Sequence, residues 1–197
     1  MAVSDVNICN SALNMIGASN ILDLTEDSKT GRICNQRYEF VRDAVMRAHP
    51  WNCLIQRTSL APDATSPVFE FSYQFTLPTD PYCLRLLSLE QLDTIHRVEG
   101  RKILTDESTI NILYIGRVND PQQWDTLLVE TIAARMAADI AYAIVGSNNL
   151  VQDMYNLYSN KLSEARFVDA TEGTPGAVTG VADSGSILSD TFINSRY

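Results

Sequence analysis

The stretch Phe69-Glu70-Phe71-Ser72-Tyr73-Gln74-Phe75 alternates aromatic and polar side chains, the two-residue period of a strand with one aromatic face. The same texture continues downstream. Pro78 and Pro81 bound a turn at Thr79-Asp80, and Cys83 to Leu89 reads as a second strand. His96 to Val98 and Ile103 to Thr105 flank Glu99-Gly100, where glycine permits the tight turn of a hairpin. Ile110 to Val118 supplies a further strand rich in β-branched residues. Residues 61–118 are therefore predicted to form a small antiparallel β-module.

On either side the period becomes helical. Ser4 is placed to cap a helix in which Val6, Cys9, Leu13 and Ile16 recur at three- and four-residue steps before Gly17. Ser28 or Thr30 opens a second helix with Ile33, Cys34, Tyr38, Val41 and Val45 on one stripe. It must end near His49, because Pro50 disfavours helical geometry in the residue before it. Asp120-Pro121 reads as a third helix start, followed by an alanine-rich helix to about Val145 in which Arg135 and Asp139 are spaced as an i,i+4 pair. Its many alanines permit close approach on several sides. Gly146 ends it, and Ser147 or Asn148 opens a fourth helix with the stripe Met154, Leu157, Tyr158, Leu162 and Ala165. The expected class is α+β: a helical bundle core from residues 1–60 and 119–167 carrying an inserted β-module, with an extended C-terminal arm at 168–197.

That arm holds four of the nine glycines, yet closes on Ile187, Leu188, Phe192, Ile193 and Tyr197. Apolar anchors on a segment too poor to build its own core are partner-docking candidates. The corner His49-Pro50-Trp51 is a structural candidate, with Pro50 turning the chain and the Trp51 indole packing beneath it. Phe69, Phe71, Tyr73 and Phe75 are candidate core or interface aromatics. A nucleic-acid stacking platform is the weaker reading of these four, because the charge it would need is missing.

The chain has 197 residues and a net charge of −9. Residues 1–60 balance six acids against six bases, whereas 61–120 carry nine against five and 121–197 nine against four. Tight electrostatic binding of nucleic acid or anionic lipid is disfavoured, since both need a cationic footprint. The arginines 32, 37, 42 and 47 step five residues apart and walk round their helix without making a basic stripe. Cys9, Cys34, Cys53 and Cys83 contain no C-x-x-C pair and read as free thiols in a reducing compartment. No secretory leader or membrane span is expected. His49 and Cys53 stand four apart, but Pro50 and Trp51 break the register a metal pair would need, and Cys83 with His96 is a nucleophile pair only if the fold joins them. No phosphate-binding glycine loop, zinc-protease motif or nucleophile elbow occurs. Glu26-Asp27 and Asp106-Glu107 read as caps or solvated turns. No catalytic, cofactor-binding or metal residue is assigned.

The strings Cys9-Asn10-Ser11-Ala12-Leu13-Asn14-Met15-Ile16-Gly17, Ala48-His49-Pro50-Trp51-Asn52, Leu60-Ala61-Pro62 and Leu77-Pro78-Thr79-Asp80 follow one another along the chain. Val98-Glu99-Gly100-Arg101-Lys102-Ile103-Leu104-Thr105-Asp106, Asp120-Pro121 and the alanine-rich helix complete the series. In order and spacing the series resembles the tail tubular protein A family of short-tailed bacteriophages. The resemblance implies a non-enzymatic head-to-tail adaptor, a virion tail protein assembled in the cytoplasm of the bacterial host. It implies a dodecameric ring of this chain between the portal protein and the tail nozzle (tail tubular protein B), lining part of the DNA channel, with tail fibres as a further candidate neighbour. Double-stranded DNA would pass without sequence-specific binding, and an acidic lumen would keep it from sticking. The helical part would form the ring and the β-module would reach towards the nozzle or the tail-fibre attachment region. The rival readings are a small cytosolic enzyme or regulatory binding module, which a concave pocket with convergent titratable groups would favour, and a general protein scaffold.

Overall fold

The computed structural model describes residues 3–91 and 93–172. The fold is α+β, and the chain divides into two units, one of residues up to Leu54 with Arg117–Asp169, the other built on Ile55–Gly116.

The helical unit contains α1 (Asp5–Met15), α2 (Lys29–Ala48), α3 (Thr126–Val145) and α4 (Asn148–Thr171). Each start has a local cause. Ser4 Oγ accepts the Asn7 N–H at 3.2 Å, and Ser28 Oγ accepts that of Gly31 at 2.9 Å. The loop between α1 and α2 is pinned by Asn10, whose side chain donates to and accepts from the Ile21 backbone at 2.9 and 2.8 Å. Helix α2 enters so close to this loop that a Cβ on Gly31 would stand 2.7 Å from the Glu26 carbonyl oxygen. It stops at His49, which is extended ahead of Pro50.

Helix α3 begins later than Asp120-Pro121 would place it. Asp120 caps only a 3-10 turn, Pro121–Gln123. Trp124 then turns extended and sinks into the core with its indole N–H on the Val118 carbonyl at 2.9 Å. Asp125 is the true cap, its Oδ1 accepting from Leu127 and Leu128. Leu128, Ile132, Ala134, Met136, Ala137, Ile140 and Ala141 are all fully buried, and α1 and α2 both pack on this helix. Each large aliphatic buried there contributes about 1.5–3 kcal/mol. Arg135 and Asp139 do not pair with each other. Asp139 takes a two-pronged bond from Arg37 of α2, at 2.5 and 3.1 Å, while the Arg135 guanidinium lies over Tyr155 and Tyr158 of α4. Gly146, at φ 76°, closes α3 in the left-handed conformation and reverses the chain into α4. Helix α4 runs on to Thr171, past the expected boundary at 168.

The other unit holds two three-stranded antiparallel sheets where one was expected. Strand β1 (Ile55–Leu60) pairs with β6 (Ile110–Gly116), which pairs with β3 (Cys83–Leu89); β2 (Tyr73–Thr76) pairs with β5 (Lys102–Thr105), which pairs with β4 (His96–Glu99). Phe75, Leu77 and Ile103 from the second sheet meet Leu89, Ile110, Ile112 and Tyr114 from the first in one core. Residues 55–60, placed with the helices by the sequence, are strand β1: Ile-Gln-Arg-Thr-Ser-Leu has no clean period to betray it. The aromatic run is a strand only in its second half. Phe71 donates back to the Phe69 carbonyl at 3.0 Å and Glu70 adopts φ 74°, so residues 69–71 form a tight turn rather than extended chain.

Candidate functional site

The corner after α2 is built by residues 120 positions apart. The Trp51 indole is fully buried and donates to the Val45 carbonyl at 3.1 Å, with the His49 ring edge-on to it at 4.8 Å between centroids. Asp169, in the last turns of α4, then closes the corner. Its Oδ1 accepts the Asn52 backbone N–H at 3.0 Å, its Oδ2 lies 3.1 Å from His49 Nε2, and its own carbonyl accepts from Asn52 Nδ2 at 2.7 Å. Arg166 adds a bond to the Ala48 carbonyl, which has lost its helical partner. The end of α4 is thereby fastened to the segment joining α2 to Asn52–Leu54.

A second clamp joins two stretches of the β unit. Arg101, in the β4–β5 turn, donates to the Pro78 carbonyl at 2.7 Å and the Cys83 carbonyl at 3.3 Å, and its guanidinium lies 3.9 Å from the Tyr82 ring centroid. The Leu77 N–H returns a bond to the Arg101 carbonyl at 2.9 Å. Next to it Lys102 reaches Asp63 at 2.9 Å and holds that carboxyl below its usual range. The Leu77–Asp80 and Val98–Asp106 strings are thus one physical device.

The four aromatics divide. Phe75 is fully buried and Tyr73 packs against the same core, whereas Phe69 is 78% exposed and Phe71 half-buried on the turn. Val68 and Ile95 are also exposed. Ile187, Leu188, Phe192, Ile193 and Tyr197, with the rest of the arm beyond residue 172, lie outside the described residues.

In the helical unit a long apolar stripe is only half covered. Helix α4 buries Ala165 and Asp169 alone, leaving Leu150, Val151, Met154, Leu157, Tyr158 and Leu162 half-exposed. Phe40 of α2, Tyr142 and Val145 of α3 and Phe167 of α4 stand in solvent.

Titratable groups gather in two places in the helical unit: Cys9, Cys34, Tyr38 and Asp5 where α1 meets α2, and His49, Cys53, Asp125 and Asp169 around the corner. Cys9 and Cys34 are buried together where α1 meets α2, their mutual contact and burial pushing the Cys9 thiol far up. Burial and a hydrogen bond to Asp5, at 2.7 Å, push the Tyr38 phenol up, and burial does the same to Cys53. Cys83 is buried in the β core while His96 sits on an exposed strand with Nδ1 against the Thr94 carbonyl. Among the described residues, no group of three or more His, Cys, Asp or Glu could hold a metal ion, and no helix is long and apolar enough to cross a membrane. An open groove of about 430 Å³ crosses β1, β6 and β3, with Arg57, Glu90 and Asn111 among its walls. Asn111 already donates to Glu90 across it, at 2.6 Å.

What the arrangement defines is an α+β protein with fastened corners and uncovered apolar helix surface. Compared with known proteins, the chain matches no family model and no curated sequence.

Sequence reading missed Asp169 and Arg101. Asp169 had a signal: Tyr158, Leu162, Ala165 and Asp169 continue one stripe at steps of four, three and four, and an acid that continues an apolar stripe needs a buried partner. Arg101 had none, because its acceptors are backbone carbonyls.

Proposed function

We propose that this chain is a virion structural subunit of the head-to-tail adaptor kind, assembling as a ring between a phage portal and tail nozzle. The observation that carries the reading is α4. A 24-residue helix that buries two residues and leaves its apolar stripe half-exposed has not completed its packing among the described residues. Beside Phe40, Tyr142, Val145 and Phe167, it offers more apolar surface than scattered exposed residues account for. A subunit that meets copies of itself through unlike faces needs such surface on its helices, and a ring follows where the rotation closes. The two clamps serve that role by keeping the corners rigid, so that the ordering cost of assembly is small. The acidic balance of residues 61–197 suits a channel through which DNA slides without adhering.

The test is negative-stain electron microscopy of the protein mixed with the portal ring of the phage that carries its gene. An added coaxial ring below the portal supports the adaptor; no added density, with both proteins folded, removes it.

A further inference from the structure

Strand β4 is the outer strand of its sheet, and all four of its residues, His96-Arg97-Val98-Glu99, are exposed. Among the described residues nothing pairs with its far side. Its two faces are fixed by register. Val98 stands opposite Ile103, which stands opposite Phe75, so Val98 belongs to the core face. Ile103 and Phe75 are fully buried, yet Val98 is 48% exposed: the core stops one strand short. Arg97 and Glu99 lie on the opposite face, facing Leu104 and Lys102.

The two-residue turn Gly100-Arg101 closes on Glu99 and Lys102. By the alternation of an antiparallel ladder, the backbone groups of Val98 and His96 then point away from β5, towards the open edge. Any strand added there in antiparallel fashion must bond to them.

We propose that this edge is a docking surface for a second copy of the same strand, joined antiparallel about a two-fold axis through Val98. The charges select this occupant. For two copies to make one continuous sheet with their core faces on the same side, only every second register is allowed. One such register sets Arg97 against Arg97, and another sets Glu99 against Glu99. The register between them sets Val98 against Val98 on the core face and Arg97 against Glu99, twice, on the other. Like charges directly opposite destabilise a sheet and opposite charges stabilise it. Charged residues on an outer strand commonly prevent edge-to-edge pairing; here they run basic, apolar, acidic, which an antiparallel copy complements. Arg97 is held meanwhile by Glu70 at 3.0 Å, in an exposed pair that exchange for Glu99 of the second copy costs little. The product is a six-stranded sheet with the uncovered Val98 side chains facing each other. Each β4 is consumed by one partner, so this contact joins chains, or whole assemblies, in pairs and cannot itself propagate a ring. It stands independently of the adaptor reading.

The test uses the full chain. Val98→Cys, oxidised in air with copper-phenanthroline, is expected to run mostly at twice the chain mass of 21.9 kDa, while Asp93→Cys, exposed but off the strand, does not. Arg97→Glu and Glu99→Arg are each expected to weaken dimerisation at least tenfold in sedimentation equilibrium, and the double exchange R97E/E99R to restore it. The proposal is overturned if Val98→Cys crosslinks no better than Asp93→Cys, if the unmodified chain shows no dimer, if the single exchanges leave dimerisation unchanged, or if the double exchange does not restore it.

Discussion

Asp169 accepts the backbone N–H of Asn52 at 3.0 Å, and this bond ties the end of α4 to a corner 117 residues earlier. With His49 on the other oxygen and the carboxylate almost fully buried, the acceptor cannot be replaced by water. Asp169→Ala is expected to destabilise the helical unit by about 2–3 kcal/mol, the cost of leaving buried donors unsatisfied. Asp169→Asn, which keeps one acceptor, should retain about half of that. Urea unfolding followed by Trp51 and Trp124 fluorescence measures both.

Arg101 poses the same question in the β unit. It bonds to three backbone carbonyls, those of Pro78, Cys83 and, at 3.5 Å, Leu77, and stacks on Tyr82, a combination that a planar fork can make and an ammonium cannot. Arg101→Lys is therefore expected to recover less than half of the loss caused by Arg101→Ala, which should be about 1–3 kcal/mol. Comparing the urea midpoints of the two variants decides it.

Gly31 and Gly146 separate two causes of glycine dependence. In an exposed helix, glycine to alanine gains about 1 kcal/mol. At Gly31 the new Cβ would press on the Glu26 carbonyl, a backbone atom that cannot swing aside, so overpacking of about 1–3 kcal/mol outweighs the gain. At Gly146 there is open space but φ is 76°, and Gly146→Ala should cost about 1–2 kcal/mol from conformation alone. Restoring space by Glu26→Gly would not relieve Gly31→Ala, because the clash is with main chain. Melting temperatures of the three variants test this.

Tyr38 gives the helical unit an alkaline limit. Burial and its bond to Asp5 raise the phenol above the ordinary value of 10.0. The folded state thus keeps a proton that the unfolded chain releases, so the part of the stability that Tyr38 contributes is full below pH 10 and falls as pH rises beyond it, by about 1.4 kcal/mol per unit for one proton, on top of the loss that the raised Cys9 and Cys53 thiols begin near pH 9. Tyr38→Phe cannot ionise and should flatten that slope while costing about 1 kcal/mol at neutral pH for the lost hydrogen bond. Unfolding curves between pH 8 and 11 provide the check.

The helices were legible because their causes are local. Ser4 and Ser28 cap within three residues, Pro50 ends α2, and Gly146 ends α3. The strand set from Cys83 to Gly116 was legible for the same reason, since its turns and alternation are contiguous. Three things were not. Asp125 took the cap from Asp120 because Trp124 had to reach the core, a tertiary demand. Strand β1 depends on β6, 50 to 60 residues away, to become a strand at all. The partner of Asp139 is Arg37 and not its helical neighbour Arg135, because Tyr155 and Tyr158 offer Arg135 a face to lie on. Of the corner, its turn and its indole were visible at His49-Pro50-Trp51, but the carboxylate that closes it was not.

The adaptor proposal makes its own demand on the exposed helix surface. Phe40 and Phe167 are 69% and 72% exposed, so replacing either with Asp removes no core contact and should change stability by no more than about 0.5 kcal/mol. If that surface is where subunits meet, a buried aspartate there is left unpaired, and loss of assembly on the portal should be at least tenfold. Removal of residues 181–197, which takes away Ile187, Leu188, Phe192, Ile193 and Tyr197, should abolish joining to the portal while circular dichroism and melting of the monomer stay unchanged. A truncated chain that still adds its ring beneath the portal would show that the apolar anchors of the arm do not join the two rings. Persistence of assembly in both phenylalanine variants would likewise exclude these helix faces as the contact between subunits.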